Sequence, residues 1–192
     1  AFLAVVIMGI VFIQNITMLY IWQSILSELE NILRTDSYFV TFTVTFIVAM
    51  SIPIVLLGLA SFIAKKVNND SLVKNFTIFG YAIIPLDVAA HIAHNLFHML
   101  AEGGSILITG AAYFGWEVND VSPALLDNMT IQILQFALLA LGIIGSIYTA
   151  YRISRGNFPG KTWTTLLPYG ILILVLGGIN VVLFSLPMAH RM

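Results

Sequence analysis

Residues Pro85 to Glu102 read PLDVAAHIAHNLFHMLAE and carry Asp87, His91, His94, His98 and Glu102 at intervals of four, three, four and four residues. At 100° per residue these five positions fall within roughly 80° of one another, a single polar stripe along one helix. The surroundings are strongly apolar. Three of the chain's four histidines lie here, and Asp87 is the one charged residue deep inside a hydrophobic segment. Ionisable groups in such positions are expensive and mark function by default.

The rest of the chain supports that reading. Its 192 residues are 59% hydrophobic and only 9% charged, where a soluble domain carries about 25% charged residues. The pattern is that of an all-α integral membrane protein, one transmembrane domain over residues 1–192. A net charge of −1 and the lack of any basic cluster argue against nucleic acid as a partner. The absence of cysteine excludes disulfides, thiolate zinc sites and cysteine-ligated iron–sulfur clusters within this chain. Ala1 opens in the middle of an apolar run with no charged n-region, which reads as a piece of a longer chain rather than a signal peptide.

Five segments are long enough to span a bilayer core, which requires about 20 apolar residues: Phe2–Trp22, Tyr38–Ala64, Phe76–Leu100, Ile131–Tyr151 and Trp163–Leu186. The first runs on into SILSELENIL, whose helical period extends it past the membrane or onto its surface. Lys65, Lys66 and Lys74 follow span two, and Arg152, Arg155 and Lys161 follow span four, whereas only Arg34 and Arg191 lie on the opposite side. The positive-inside rule therefore places the N-terminus inside and the C-terminus outside. The expected location is a prokaryotic cytoplasmic membrane. The outer loop after Glu102 contains SILITGAAYFGWEV, apolar enough to lie in the interface or cap the bundle. Pro85 removes a helical hydrogen bond just before Asp87 and so predicts a kink that aims the stripe inward. Gly142, Gly145, Gly177 and Gly178 predict close helix packing.

Histidine supplies a neutral nitrogen ligand and carboxylate an anionic oxygen ligand. Neighbours three or four residues apart, such as Asp87 with His91 or His94 with His98, can share one centre. His91 and His98 stand about 10.5 Å apart along the axis, too far for one small ion. His190, at the outer end of span five, is the candidate ligand from another helix, and Asn180, about two turns below, can bond a ligand or a water. Three chemistries fit: haem b on one of these histidines with His190 or another protein group opposite; copper, iron or zinc on Asp87 or on neighbouring histidines among His91, His94 and His98; or a proton or quinone site without metal. A polar seam that only holds helices together is the bland alternative. Gln14, Asn15 and Gln135 are further intramembrane polar groups, expected to make interhelical hydrogen bonds.

The segment Gly80 to Gly103, GYAIIPLDVAAHIAHNLFHMLAEG, resembles a membrane helix of polyferredoxin-type membrane proteins of the NapH/NosR kind, as does the closing LFSLPMAHRM, Leu183 to Met192. The resemblance implies a place in a respiratory electron-transfer chain that exchanges electrons with quinone. The family's cysteine motifs are absent here, so its clusters would sit on another segment or subunit.

The expectation is thus a membrane subunit of a redox complex, at most one component of an oxidoreductase, embedded in lipid beside other subunits. Its haem or metal site would involve His91, His94, His98, His190 and Asp87, with Glu102 and Asn180 nearby. A metal-ion or proton-coupled permease with the stripe lining its path is the alternative, and a structural anchor subunit the second.

Overall fold

A computed structural model describes residues 1–116 and 122–186. Among these residues the chain is helical throughout, without a strand. The helices are α1 (Phe2–Ile16), α2 (Trp22–Leu33), α3 (Tyr38–Asn68), α4 (Leu72–Gly80), α5 (Ile84–Ala101), α6 (Gly104–Tyr113), α7 (Asn128–Asn157) and α8 (Thr162–Ser185). Four stretches are long and apolar enough to cross a membrane: Tyr38–Asn68, Leu72–Ala101, Asn128–Asn157 and Pro159–Ser185. They match spans two to five of the sequence reading.

The first expected span departs from it. α1 ends at Ile16, where the chain makes tight turns (Met18 N–H to Asn15 O, Leu19 N–H to Ile16 O) before α2 begins. Fifteen residues reach only about 22 Å at 1.5 Å per residue, so α1 is shorter than the other four. SILSELENIL forms a separate amphipathic helix, α2, which buries Trp22 and Leu26 against Phe42 and Ala49 of α3. The hydropathy of residues 2–22 is continuous, and hydropathy does not register a turn made by backbone hydrogen bonds.

Span three is two helices joined by a 3-10 turn, Tyr81–Ile83. The cause is Pro85, which has no N–H to give the Tyr81 carbonyl; Ile84 N–H bonds that carbonyl instead, one residue early. The next amide, Leu86 N–H, donates to Ser146 Oγ of α7 at 3.0 Å. Below the break α4 packs on α3, and Asn68 and Asn75 exchange side-chain bonds of 2.8 and 3.2 Å across the connecting turn. Above it α1 lies between α3 and α5. Ala1 rests on Gly80, where even a Cβ would come within 2.6 Å of the Ala1 Cβ. α1 also touches α8, so it lies against four of the bundle's other helices.

α5 and α7 pack closely because Gly142 and Gly145 leave room for Leu86, Ala89 and Pro85. Gly177 does the same for Ile143, whereas Gly178 faces open space. At the core, Tyr169 stacks on Phe79 with ring centroids 3.7 Å apart. Both basic turns lie at one end of the bundle, where Lys161 Nζ donates to Val67 O at 2.7 Å. At that end Lys74 engages Asp70 and holds its carboxyl below the usual aspartate range. The opposite end carries Glu28, Glu30, Asp36, Glu102 and Asp127. The apolar stretch after Glu102 is a helix, not a loop: α6 leaves Ile106, Leu107 and Tyr113 exposed, with Phe114 and Trp116 just beyond it.

Candidate functional site: a graded ionisable stripe on α5

The five stripe residues lie on one helix, but they do not share one environment. Around the axis their order is His94, Asp87, His98, His91 and Glu102, in steps of about 20°. The first two are buried and the other three are not. His94 and Asp87 are 7% and 2% exposed, while the side chains of His98 and Glu102 are 28% and 44% exposed and His91 is open. The stripe therefore straddles the edge of the bundle, with its inner margin against α1 and its outer margin on the surface.

On the inner margin, Asn15 Nδ2 donates to Val11 O of its own helix at 2.8 Å, which turns Oδ1 toward α5. His94 Nδ1 lies 3.1 Å from that oxygen and donates to it. Two turns below, on the same face of α5, Asp87 is buried with neither carboxylate oxygen hydrogen-bonded among the described residues. α1 runs parallel to α5 with Asn15 beside His94, so Met8 lies near the level of Asp87. Asn180 reaches the same zone from α8: its Nδ2 donates to Leu176 O at 2.9 Å and lies 3.5 Å from Met8 Sδ, and its Oδ1 is unpartnered. Gln14 Oε1 is likewise buried and unpartnered.

The outer margin is connected. The rings of His94 and His98 meet edge to face with centroids 5.1 Å apart, and His98 Nδ1–H donates to Glu102 Oε2 at 3.0 Å. From there a groove of about 980 Å³ opens between α5 and α6, lined by His91, His98 and Glu102 along with Ile92, Met99 and Ile106. The path from Glu102 through His98 to His94 and Asn15 is thus continuous by contact, and Asp87 lies about 10.5 Å further in along the helix.

As a metal centre the arrangement is thin. Among the described residues no three His, Asp or Glu side chains converge on one point. His94 and His98 form a pair, but Asp87 is two turns away from His94 and His91 points out of the bundle. A tetrahedral or octahedral ion asks for more donors than two rings provide. His190 lies outside the described residues. Asn180 is placed among α1, α5 and α8 rather than beside the histidines, which the two-turn estimate along α8 alone did not reveal.

Two further residues position the stripe and were not singled out for it in the sequence. Ser146 fixes the amide after Pro85, and Gln135 Nε2 donates to Ala93 O of α5 at 3.0 Å. The small-residue run at Gly142, Gly145 and Ser146 is the signal that points to the first. Asn15 was read as an ordinary interhelical group; its partner, 79 residues away, is a stripe histidine.

The fold and site define a class: a helical bundle with membrane-length helices and a buried ionisable stripe that opens at its acidic end. Comparison of the chain with protein-family models, with curated proteins and with solved structures finds no match.

Proposed function

We propose that this chain is an integral membrane subunit of an electron-transfer complex and that its α5 stripe moves protons between the bundle interior and the acidic end. The observation that carries the proposal is Asp87, a carboxyl group buried without a hydrogen-bond partner among the described residues, beneath a contacting series of His94, His98 and Glu102. Burying such a group unpaired costs several kcal/mol when it is charged, and an apolar side chain would fill the space without that cost. Each imidazole can accept a proton at one nitrogen and donate at the other, so two neighbouring histidines can relay a proton once a hydrogen bond or a water links them. The redox half of the proposal rests on the resemblance of Gly80–Gly103 to quinone-linked membrane proteins. With six basic residues at one end, the positive-inside rule makes the acidic end the outer one and gives the five-helix reading its orientation.

The test uses membranes containing the chain, with quinol-dependent reduction of an artificial acceptor and proton release recorded together. Asp87→Asn and His94→Gln should each abolish both signals while the protein is still produced and folded. Unchanged rates in both variants would sink the reading.

A second reading is favoured by the contact of His94 with His98: one of these rings, with a ligand such as His190, would hold haem b, or both rings with such a ligand would hold a copper, iron or zinc ion. A visible spectrum of the oxidised and reduced protein, with metal analysis on the same sample, tests it. A Soret band or stoichiometric metal that disappears in His94→Ala would move the assignment to a redox centre.

A further inference from the structure

We propose that the basic end of the α7–α8 hairpin is a binding site for an anionic phospholipid, its phosphate held by Arg155 and Lys161 and an acyl chain laid beyond Tyr151 and Trp163. Two adjoining features build the site. The first is a pocket of about 440 Å³ where the last turn of α7 meets the first turn of α8, lined by Arg155, Lys161, Thr162 and Thr164. The second is an apolar groove of about 380 Å³ along the same helix pair, lined by Ile144, Ile147, Tyr148 and Leu166. Tyr151 and Trp163 belong to both, their rings 5.6 Å apart, so one wall joins the polar and apolar parts.

The charges at this end select the occupant. Lys161 uses one ammonium donor on Val67 O, and Arg155 uses one guanidinium donor on Tyr151 Oη at 3.4 Å, so both keep donors for a phosphate. Among the described residues the one carboxylate near this end is Asp70, and Lys74 already engages it. The start of α8 adds the amide dipoles of its first turn, which favour an anion. Trp163 is 72% exposed beside the pocket, at the depth where an aromatic ring meets both headgroup and chain. A soluble phosphate would use only the upper pocket; the continuous apolar groove is what specifies a lipid. Basic pockets between helices at a membrane surface bind anionic headgroups in this manner, each cation contributing about 1 kcal/mol, or about fivefold.

The experiment uses the full chain in phosphatidylcholine nanodiscs, with Trp22→Phe and Trp116→Phe so that Trp163 alone reports. Its quenching is followed as dibrominated phosphatidylglycerol or dibrominated phosphatidylcholine is added at equal mole fraction. The anionic lipid should reach half-quenching at a mole fraction on the order of 20-fold lower, two cations at about fivefold each. Arg155→Gln with Lys161→Gln should abolish that preference, and Arg155→Gln alone should cut it about fivefold, which keeps the test open if the double variant does not fold. Lys65→Gln with Lys66→Gln, which removes equal charge from the same end outside the pocket, should leave it intact. Excess inorganic phosphate at matched ionic strength should not relieve the quenching. The proposal is overturned by equal quenching from the two lipids, by a preference that survives loss of Arg155 and Lys161, by one lost with Lys65 and Lys66, or by displacement with phosphate.

Discussion

The two faces of α5 are built on opposite principles. Toward α7 the helix is closely fitted: glycines receive Leu86 and Ala89, and the polar groups that cross the interface, Ser146 and Gln135, each have a backbone partner. Toward α1 it presents Asp87, without a hydrogen-bond partner among the described residues, and a histidine that meets Asn15. Both faces are equally buried, so depth does not explain the difference. One face has been optimised for packing, and the other retains polar groups that packing would have removed. A helix that pairs these faces can hold a costly group in register because its opposite side fixes it.

The sharpest way to break the comparison is Asp87→Asn. If the α1 face serves proton transfer, quinol-dependent turnover should fall by about 100-fold or more, the scale of a lost general acid–base group. Thermal unfolding in detergent should stay the same or shift upward. A large loss of stability with turnover intact would make Asp87 a structural residue and erase the distinction.

Gly142→Val attacks the other face. Its side chain would meet the Ala89 Cβ at 2.6 Å and the Leu86 Cα at 3.1 Å, and backbone cannot retreat as a flexible side chain does. A destabilisation of about 1–3 kcal/mol is expected, read from thermal melts, with turnover per folded molecule little changed. Smaller still is Ser146→Ala, which leaves Leu86 N–H without its acceptor beside the 3-10 turn. It should cost about 1 kcal/mol and speed hydrogen exchange at the α4–α5 junction.

Asp127, at the start of α7, gives the mildest test and the one that pH controls. The Thr130 hydroxyl and amide hold its carboxylate below the usual aspartate range. A group whose folded pKa is depressed stabilises above its unfolded pKa, and that contribution is lost as pH falls through the folded value. Asp127→Ala should therefore melt slightly lower at neutral pH, and the gap should close well below pH 3.8, the ordinary aspartate value.

How far the sequence discloses this arrangement depends on which interactions set each element. Spans two to five were legible because hydropathy and length alone place a helix of 24 to 31 residues. The break at Pro85 was legible because a missing N–H is a local fact. The end of α1 at Ile16 was not, since Thr17 to Ile21 continue an apolar run and the turn is stabilised by tertiary contacts of Leu19 and Trp22. In the stripe, periodicity revealed that five ionisable residues share a side. It could not reveal where the edge of the bundle cuts that side, which depends on the placement of α1. Hence His91 was grouped with His94, although one is open and the other buried.

The position of α1 also bears on how the chain is assembled. Among the described helices α1 comes well before α8, yet the two are neighbours in the bundle. During synthesis its apolar sides and its Gln14 and Asn15 must wait in lipid, or against another protein, while more than a hundred residues are added. The helix bearing Asp87 enters meanwhile, and an aspartate at mid-membrane depth adds about 2.5–3.5 kcal/mol to insertion. Biogenesis is therefore a long-range closure, in which α1 is held until α8, made more than a hundred residues later, seals it in place.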